Sequence, residues 1–196
     1  MPEDHPVVRA ARFLESAGLR HCLIGGYAVA VYGEPRATYD ADFLVAASGE
    51  EFAALAGASR DRGWEADFRK ADLLDPVGDV VRIYRPFACD LLRARPGLEE
   101  ECLRSPLRVE LFGHTVRVVR PELLVLLLLR AGDPRSFYDA LGILRVQELA
   151  PPGIDREGLR RLAKRYGLAR KVGLLLRGQF RWEFRPPQPE KGGAGK

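Results

Sequence analysis

Two aspartates one residue apart, Asp40-Ala41-Asp42, form the first chemistry-bearing pattern in the chain. On an extended strand, residues two apart face the same side. The spacing therefore predicts that Asp40 and Asp42 project together, while Ala41 and Phe43 point the other way. Adjacent carboxylates repel, and the repulsion raises one proton affinity unless a cation intervenes. A hard divalent ion such as Mg²⁺ relieves it, because Mg²⁺ takes one or two carboxylates together with phosphate oxygens. A third acid, Asp90, sits inside the apolar run Phe87-Ala88-Cys89-Asp90-Leu91-Leu92. Buried unpaired, it would be costly. Two readings of Asp90 stand at this point. It is a third metal ligand that also accepts the proton of an attacking hydroxyl, or it is a core carboxylate paired with Arg82 or Arg93.

Upstream, the short apolar stretch His21-Cys22-Leu23-Ile24 runs into Gly25-Gly26 and then a short helical segment. A strand ending in two glycines exposes backbone N–H groups, and with the helix dipole these favour phosphate. Gly-Gly alone is usually a turn, and an isolated Asp-x-Asp arises by chance. Their order and separation, with Asp90 downstream, point to metal-assisted phosphate chemistry. Arg36 and Thr38 lie between the two motifs and either orient the carboxylates or touch phosphate. For Arg36, an ion pair with an aspartate is an equally good reading.

These residues need a sheet to hold them. Apolar periodicity predicts a helix over 6–17, with Val7, Val8, Ala11, Phe13 and Leu14 inside and Gly18 as its stop. Strands are expected over 21–24, 38–47, 64–68, 79–84 and 87–92, with a loop around Pro76 and Gly78. A short helix is expected over 27–32, closed by Gly33, and Pro35 pushes Glu34 out of helical conformation. An alanine-rich helix follows over 49–62, capped by Ser48. Arg95-Pro96-Gly97 reads as a turn, and 108–112 and 115–119 as a hairpin across Gly113-His114. Helices follow over 122–130, 134–149, 156–166 and 169–180. The expected fold class is α/β (α+β): a mixed β-sheet flanked by helices, with a C-terminal helical part. The expected layout is a core over 1–120, a helical region over 121–185 packed on it, and a disordered Pro/Gly-rich tail over 186–196.

The stretch Gly25 to Val45 resembles the DNA polymerase beta-like nucleotidyltransferase superfamily and, within it, the AbiEii-type toxin nucleotidyltransferases and their relatives. The shared pattern is Gly-Gly-x-Ala, a later Gly33, then Arg36-x-Thr38-x-Asp40-x-Asp42 followed by apolar residues. It extends to Asp90 and, more loosely, to Val118 through Leu144. The resemblance implies a nucleotidyltransferase-like fold that binds a nucleoside triphosphate. The phosphates would lie at Gly25 and Gly26, with Mg²⁺ on Asp40, Asp42 and Asp90, in a two-metal arrangement. An acceptor hydroxyl on RNA or tRNA, a protein or a small molecule attacks the α-phosphate, and pyrophosphate leaves. A toxin role with an antitoxin partner is a further implication. Three positions depart from the pattern. Leu128 stands where a lysine is expected, Ser136 replaces the first acid of a pair whose second is Asp139, and Gly26 lacks the hydroxyl of the Gly-Ser version. Arg130 or Arg135 are the substitutes at hand for the lysine.

The chain has 196 residues and a net charge of +4, an ordinary globular composition that does not by itself imply nucleic acid. Cys22, Cys89 and Cys102 are too few and too scattered for a disulfide framework or a zinc motif, which fits a reducing cytoplasm. Glu3 and Asp4 replace the basic start of a secretion signal, so no leader is expected, and the run 123–129 is too short to cross a bilayer. Basic residues crowd the last helices, from Arg156 through Arg160, Arg161, Lys164 and Arg165 to Arg181 and Arg185, with Trp182 and Phe184 nearby. An RNA backbone contact is one reading. A solvated helix face is the favoured one. Two functions follow: an active nucleotidyltransferase, for which the carboxylates argue, and a catalytically degenerate binding module, for which Leu128 and Ser136 argue.

Overall fold

A computed structural model describes residues 4–71, 78–149 and 153–178. Within them the chain runs α1 (Pro6–Ser16), β1 (Arg20–Ile24), α2 (Gly25–Tyr32), β2 (Ala41–Ala46), α3 (Gly49–Arg60), β3 (Glu65–Arg69), β4 (Val80–Arg85) and β5 (Cys89–Arg93). It continues through α4 (Leu98–Cys102), β6 (Leu107–Leu111), β7 (His114–Val118), α5 (Pro121–Ala131), α6 (Pro134–Leu149), α7 (Arg156–Arg165) and α8 (Ala169–Leu176). The expected α/β class is the observed one. The strands form one mixed sheet in the order β3-β4-β5-β2-β1-β7-β6. The pairs β2/β5 and β1/β7 are parallel, and the others are antiparallel.

Strands β1 and β2 bury both faces, with Cys22 and Leu44 on one, and β5 buries one. Leu23, Phe43, Val45 and Leu91 have no exposed surface. A single hydrophobic cluster runs from these strands into α1 and α3 and on to Leu126, Ile143 and Leu159 in α5, α6 and α7. Cys22, Cys89 and Cys102 are buried within it as free thiols. Local chemistry sets the helix ends. Ser48 and Glu51 close a reciprocal capping box on α3. Gly18 stops α1 at φ +68°, and Gly132 ends α5 in the left-handed conformation. No helix among the described residues is long and apolar enough to cross a membrane.

Four expectations are corrected. The strand placed over 38–47 begins only at Ala41, because β1 ends at Ile24, opposite Asp42, and leaves earlier residues no partner on that side. The helix expected from Tyr27 begins at Gly25 itself. A helical turn, α4, follows the turn at Gly97. Its Leu98 and Cys102, four residues apart, are both buried, a signal too short to weigh in sequence. The helix expected over 169–180 ends at Leu176, with Gly178 at φ +62° just beyond it. The tail over 186–196, Pro76, Arg181, Trp182, Phe184 and Arg185 lie outside the described residues.

Candidate active site

The carboxylates meet where three central strands end. Asp42 is opposite Ile24 in β1 on one side and opposite Asp90 in β5 on the other. Asp40 lies in the bend just before β2, so the strand alternation inferred from sequence does not place it. The backbone does: Thr38 Oγ1 donates to the Asp40 carbonyl at 3.4 Å, and Ala41 N–H donates to the Ala88 carbonyl at 3.1 Å. One oxygen from each of Asp40, Asp42 and Asp90 lies within 4.8 Å of the others.

Burial chiefly, then the charges of Asp40 and Asp90, push the Asp42 carboxyl up to about 7, and the Gly26 N–H and Arg36 hold it from rising further. The Gly-Gly turn explains that N–H contact. Gly25 has φ +63°, and a Cβ built on it would lie 2.0 Å from Asp42 Oδ2. A Cβ on Gly26 would lie 2.6 Å from Thr38 Oγ1. Both positions therefore exclude side chains, the first by conformation and contact and the second by contact alone. The turn was expected to offer free N–H donors to phosphate. The Gly26 N–H also lowers the proton affinity of the nearby Asp42 carboxyl.

Asp90 does not sit unpaired. Arg82, directly across the β4–β5 ladder, grips it with Nε at 2.7 Å and Nη2 at 2.5 Å. Of the two arginine partners considered from sequence, Arg93 instead pairs with Asp79 at 2.7 Å. The geometry joins both readings of Asp90: one carboxylate takes a bidentate guanidinium and still contributes an oxygen to the acidic cluster. Three carboxylates against this one arginine leave excess negative charge, so the donor set suits a hard cation.

Arg36 takes the ion-pair alternative. Its Nε lies 3.0 Å from both oxygens of Asp139, which ties the segment before β2 to α6. Its Nη1 lies 3.3 Å from the Gly26 Cβ position, so the guanidinium covers the turn. Tyr27 donates to the Thr38 carbonyl at 3.4 Å. Arg36, Thr38 and Tyr27 thus tie the turn, the bend before β2 and α6 together.

The departures from the expected motif also have structural explanations. Leu128 is buried in the core. Ser136 binds Asp133 through its N–H at 2.9 Å and its hydroxyl at 2.5 Å, at the start of α6. Arg130 is committed to Glu99, which Arg95 also holds. It is therefore not a stand-in for the missing lysine. The basic face of α7 is partly neutralised from other elements, where Arg165 approaches Glu101 of α4 and Arg156 pairs with Glu148 of α6, and from within, where Arg161 pairs with Glu157.

Sequence reasoning missed the exposed aromatics near the cluster. Tyr39, 84% exposed, adjoins Asp40, and Tyr84, 47% exposed, stands two residues from Arg82 on β4. Tyr39 lies within the motif itself and could have been flagged there. Tyr84 gave no signal before the β4–β5 register was known.

No protein-family model matches the chain, and no curated protein matches it. Among solved structures, it is similar to an antigenic nucleotidyltransferase-like protein from Paracoccidioides brasiliensis, at 17% identity over 90% of this chain and 92% of that one, with a TM-score of 0.47. It is similar to the antibiotic-resistance factor ANT(2'')-Ia, at 19% identity over 85% of each chain, with a TM-score of 0.45. It is also similar to the lincosamide antibiotic adenylyltransferase LnuA, at 12% identity over 71% of this chain and 95% of that one, with a TM-score of 0.48.

Proposed function

We propose that the protein is a nucleotidyltransferase that moves a nucleoside monophosphate from a nucleoside triphosphate to an acceptor hydroxyl. The observation that carries this reading is the convergence of Asp40, Asp42 and Asp90 within 4.8 Å beside the Gly25-Gly26 turn. Asp40, Asp42 and Asp90 would hold Mg²⁺, which when bound neutralises the polyphosphate and the departing pyrophosphate. The Gly26 N–H, at the start of α2, would serve the nucleotide's phosphate. The acceptor oxygen forms a bond to the α-phosphorus while the bond to the β-phosphate oxygen breaks. Pyrophosphate leaves with that electron pair, and Asp90, oriented by Arg82, takes the hydroxyl proton.

For the acceptor, RNA is favoured over a protein or small molecule by Arg160, Lys164 and Arg170. These are exposed on α7 and α8 and form no ion pair among the described residues. A toxin role would add a protein antitoxin that blocks this site.

The test is incubation with each α-labelled nucleoside triphosphate, Mg²⁺ and total RNA, with protein and aminoglycoside acceptors alongside. Label transfer that Asp40→Ala and Asp42→Ala abolish is the expected result. A second reading, a binding module on the same fold, is favoured by Arg82 clamping Asp90 and by Leu128 in the lysine position. Triphosphate binding without transfer to any acceptor would establish that reading instead.

A further inference from the structure

Strand order decides from which side an acceptor reaches the carboxylates. Across the sheet, the glycine turn at the end of β1 is followed by Asp42 on β2, Asp90 on β5 and Arg82 on β4. In-line displacement keeps the attacking and leaving oxygens on opposite sides of the α-phosphorus. With the pyrophosphate leaving toward the glycine turn and the start of α2, the attacking hydroxyl lies beyond Asp42, over β5 and β4. Asp90, the proton acceptor, stands on that side.

There β4 presents an open face. Val81 and Ile83 point the other way and are buried, on the face where Phe52 of α3 meets Phe68 of β3. Arg82 and Tyr84 point to the carboxylate face, as the Arg82–Asp90 pair requires, and both are exposed. Continuing the β4–β5 register one step past Ile83 and Cys89 sets Tyr84 opposite Ala88, two residues before Asp90. Tyr84 and Asp90 are therefore diagonal neighbours on one face, about 7–8 Å apart and within reach of an aromatic side chain. Ala88, opposite the ring, contributes only a methyl group. The hydrogen bonds from Asp90 chiefly, and then the charges of Asp90, Tyr84 and Asp40, hold the Arg82 proton more firmly than usual, so these side chains surround one guanidinium. Tyr39, the other exposed tyrosine, precedes β2 and has no ladder partner among the described residues.

We propose, building on the nucleotidyl-transfer reading, that Tyr84 is a specificity-determining residue whose ring stacks the 3′-terminal base of an RNA acceptor. The ribose hydroxyl of the same nucleoside then points to Asp90, because base and hydroxyl leave the ribose on different sides and span the Tyr84–Asp90 diagonal. Stacking of this kind accepts any base, since every base has a π-face. The open face admits the end of a strand.

The probe is a short single-stranded RNA whose 3′-terminal base is 2-aminopurine, a fluorophore quenched by stacking. It is titrated into the full chain with Mg²⁺ and a non-hydrolysable triphosphate, so that binding is read without transfer. The wild type is expected to quench it. Tyr84→Ile, which keeps a strand-forming side chain and loses the ring, is expected to weaken binding about tenfold and abolish the quenching, while Tyr84→Phe stays within about twofold of wild type. In the transfer assay, Tyr84→Ile is expected to raise KM for RNA and leave KM for the triphosphate unchanged. The proposal is overturned by wild-type affinity and quenching in Tyr84→Ile, by an equal loss in Tyr84→Phe, or by stronger quenching when 2-aminopurine is moved to an internal position. Tyr84-dependent quenching without transfer to any acceptor defeats the nucleotidyl-transfer reading and keeps the stacking site. Transfer with quenching indifferent to Tyr84 defeats this proposal alone.

Discussion

Replacing Asp42 with asparagine should stabilise the metal-free protein at alkaline pH. Asp42 is buried against two other carboxylates, and its carboxyl is pushed up to about 7 from an ordinary value of 3.8. Between those values the native state holds a proton that the unfolded chain has released, so stability falls as pH rises through that window. Each tenfold in proton affinity is worth about 1.4 kcal/mol, which sets the full cost to the native state above pH 7 at about 4 kcal/mol. The amide removes that cost and keeps an oxygen for the Gly26 N–H, though a neutral acceptor holds that bond less strongly. The expected net gain is about 2–4 kcal/mol at pH 8, or roughly 5–15 °C in melting temperature for a domain of this size. At pH 4 the two proteins should nearly coincide. Urea denaturation at both pH values, in EDTA and in Mg²⁺, measures this directly. Mg²⁺ should stabilise the wild type at pH 8 and leave Asp42→Asn almost unmoved. If Asp42→Asn is no more stable than wild type at pH 8, or is offset by the same amount at pH 4, charge repulsion at this site is not what the structure implies.

Further expectations follow from the same geometry. Mg²⁺ affinity, read by calorimetry, should weaken about tenfold for each pH unit below 7, because the ion must displace the Asp42 proton, and should level off above it. Gly25→Ala should destabilise by more than about 2 kcal/mol and abolish Mg²⁺ binding, since the left-handed backbone and the Asp42 contact both oppose a methyl group. Arg82→Ala should cost about 1 kcal/mol in EDTA, the pair being partly exposed, and less in saturating Mg²⁺, which takes over the neutralisation of Asp90. A double-mutant cycle of Arg36→Ala and Asp139→Ala should give a coupling of about 1 kcal/mol in urea denaturation; additivity would remove the role assigned to that pair in holding the turn.

Much of the fold was legible in the chain because local rules dominate there. Apolar runs over 21–24 and 87–92 produced buried strands, Gly113 marked a hairpin, and Ser48 with Glu51 announced α3. The three aspartates and the two glycines were singled out from residue type and spacing alone. What local rules could not supply was partnership between distant segments. Nothing near Arg36 in sequence selects Asp139, and nothing near Arg130 selects Glu99. Nor does anything near the basic helices select Glu101 and Glu148, which reach Arg165 and Arg156 from α4 and α6.

The sequence by itself determined the kind of chemistry available: oxygen donors for a hard cation and a turn in which side chains are excluded. Whether those groups share one corner was decided by strand order. Parallel pairing of β2 with β5 sets Asp90 beside Asp42, and antiparallel pairing of β1 with β2 brings the glycines to the same end. Register is a property of the whole sheet, fixed by which faces are buried on every strand at once. That is why the identity of the donors could be read along the chain, while their convergence, and the choice of Arg82 over Arg93 as the partner of Asp90, could not.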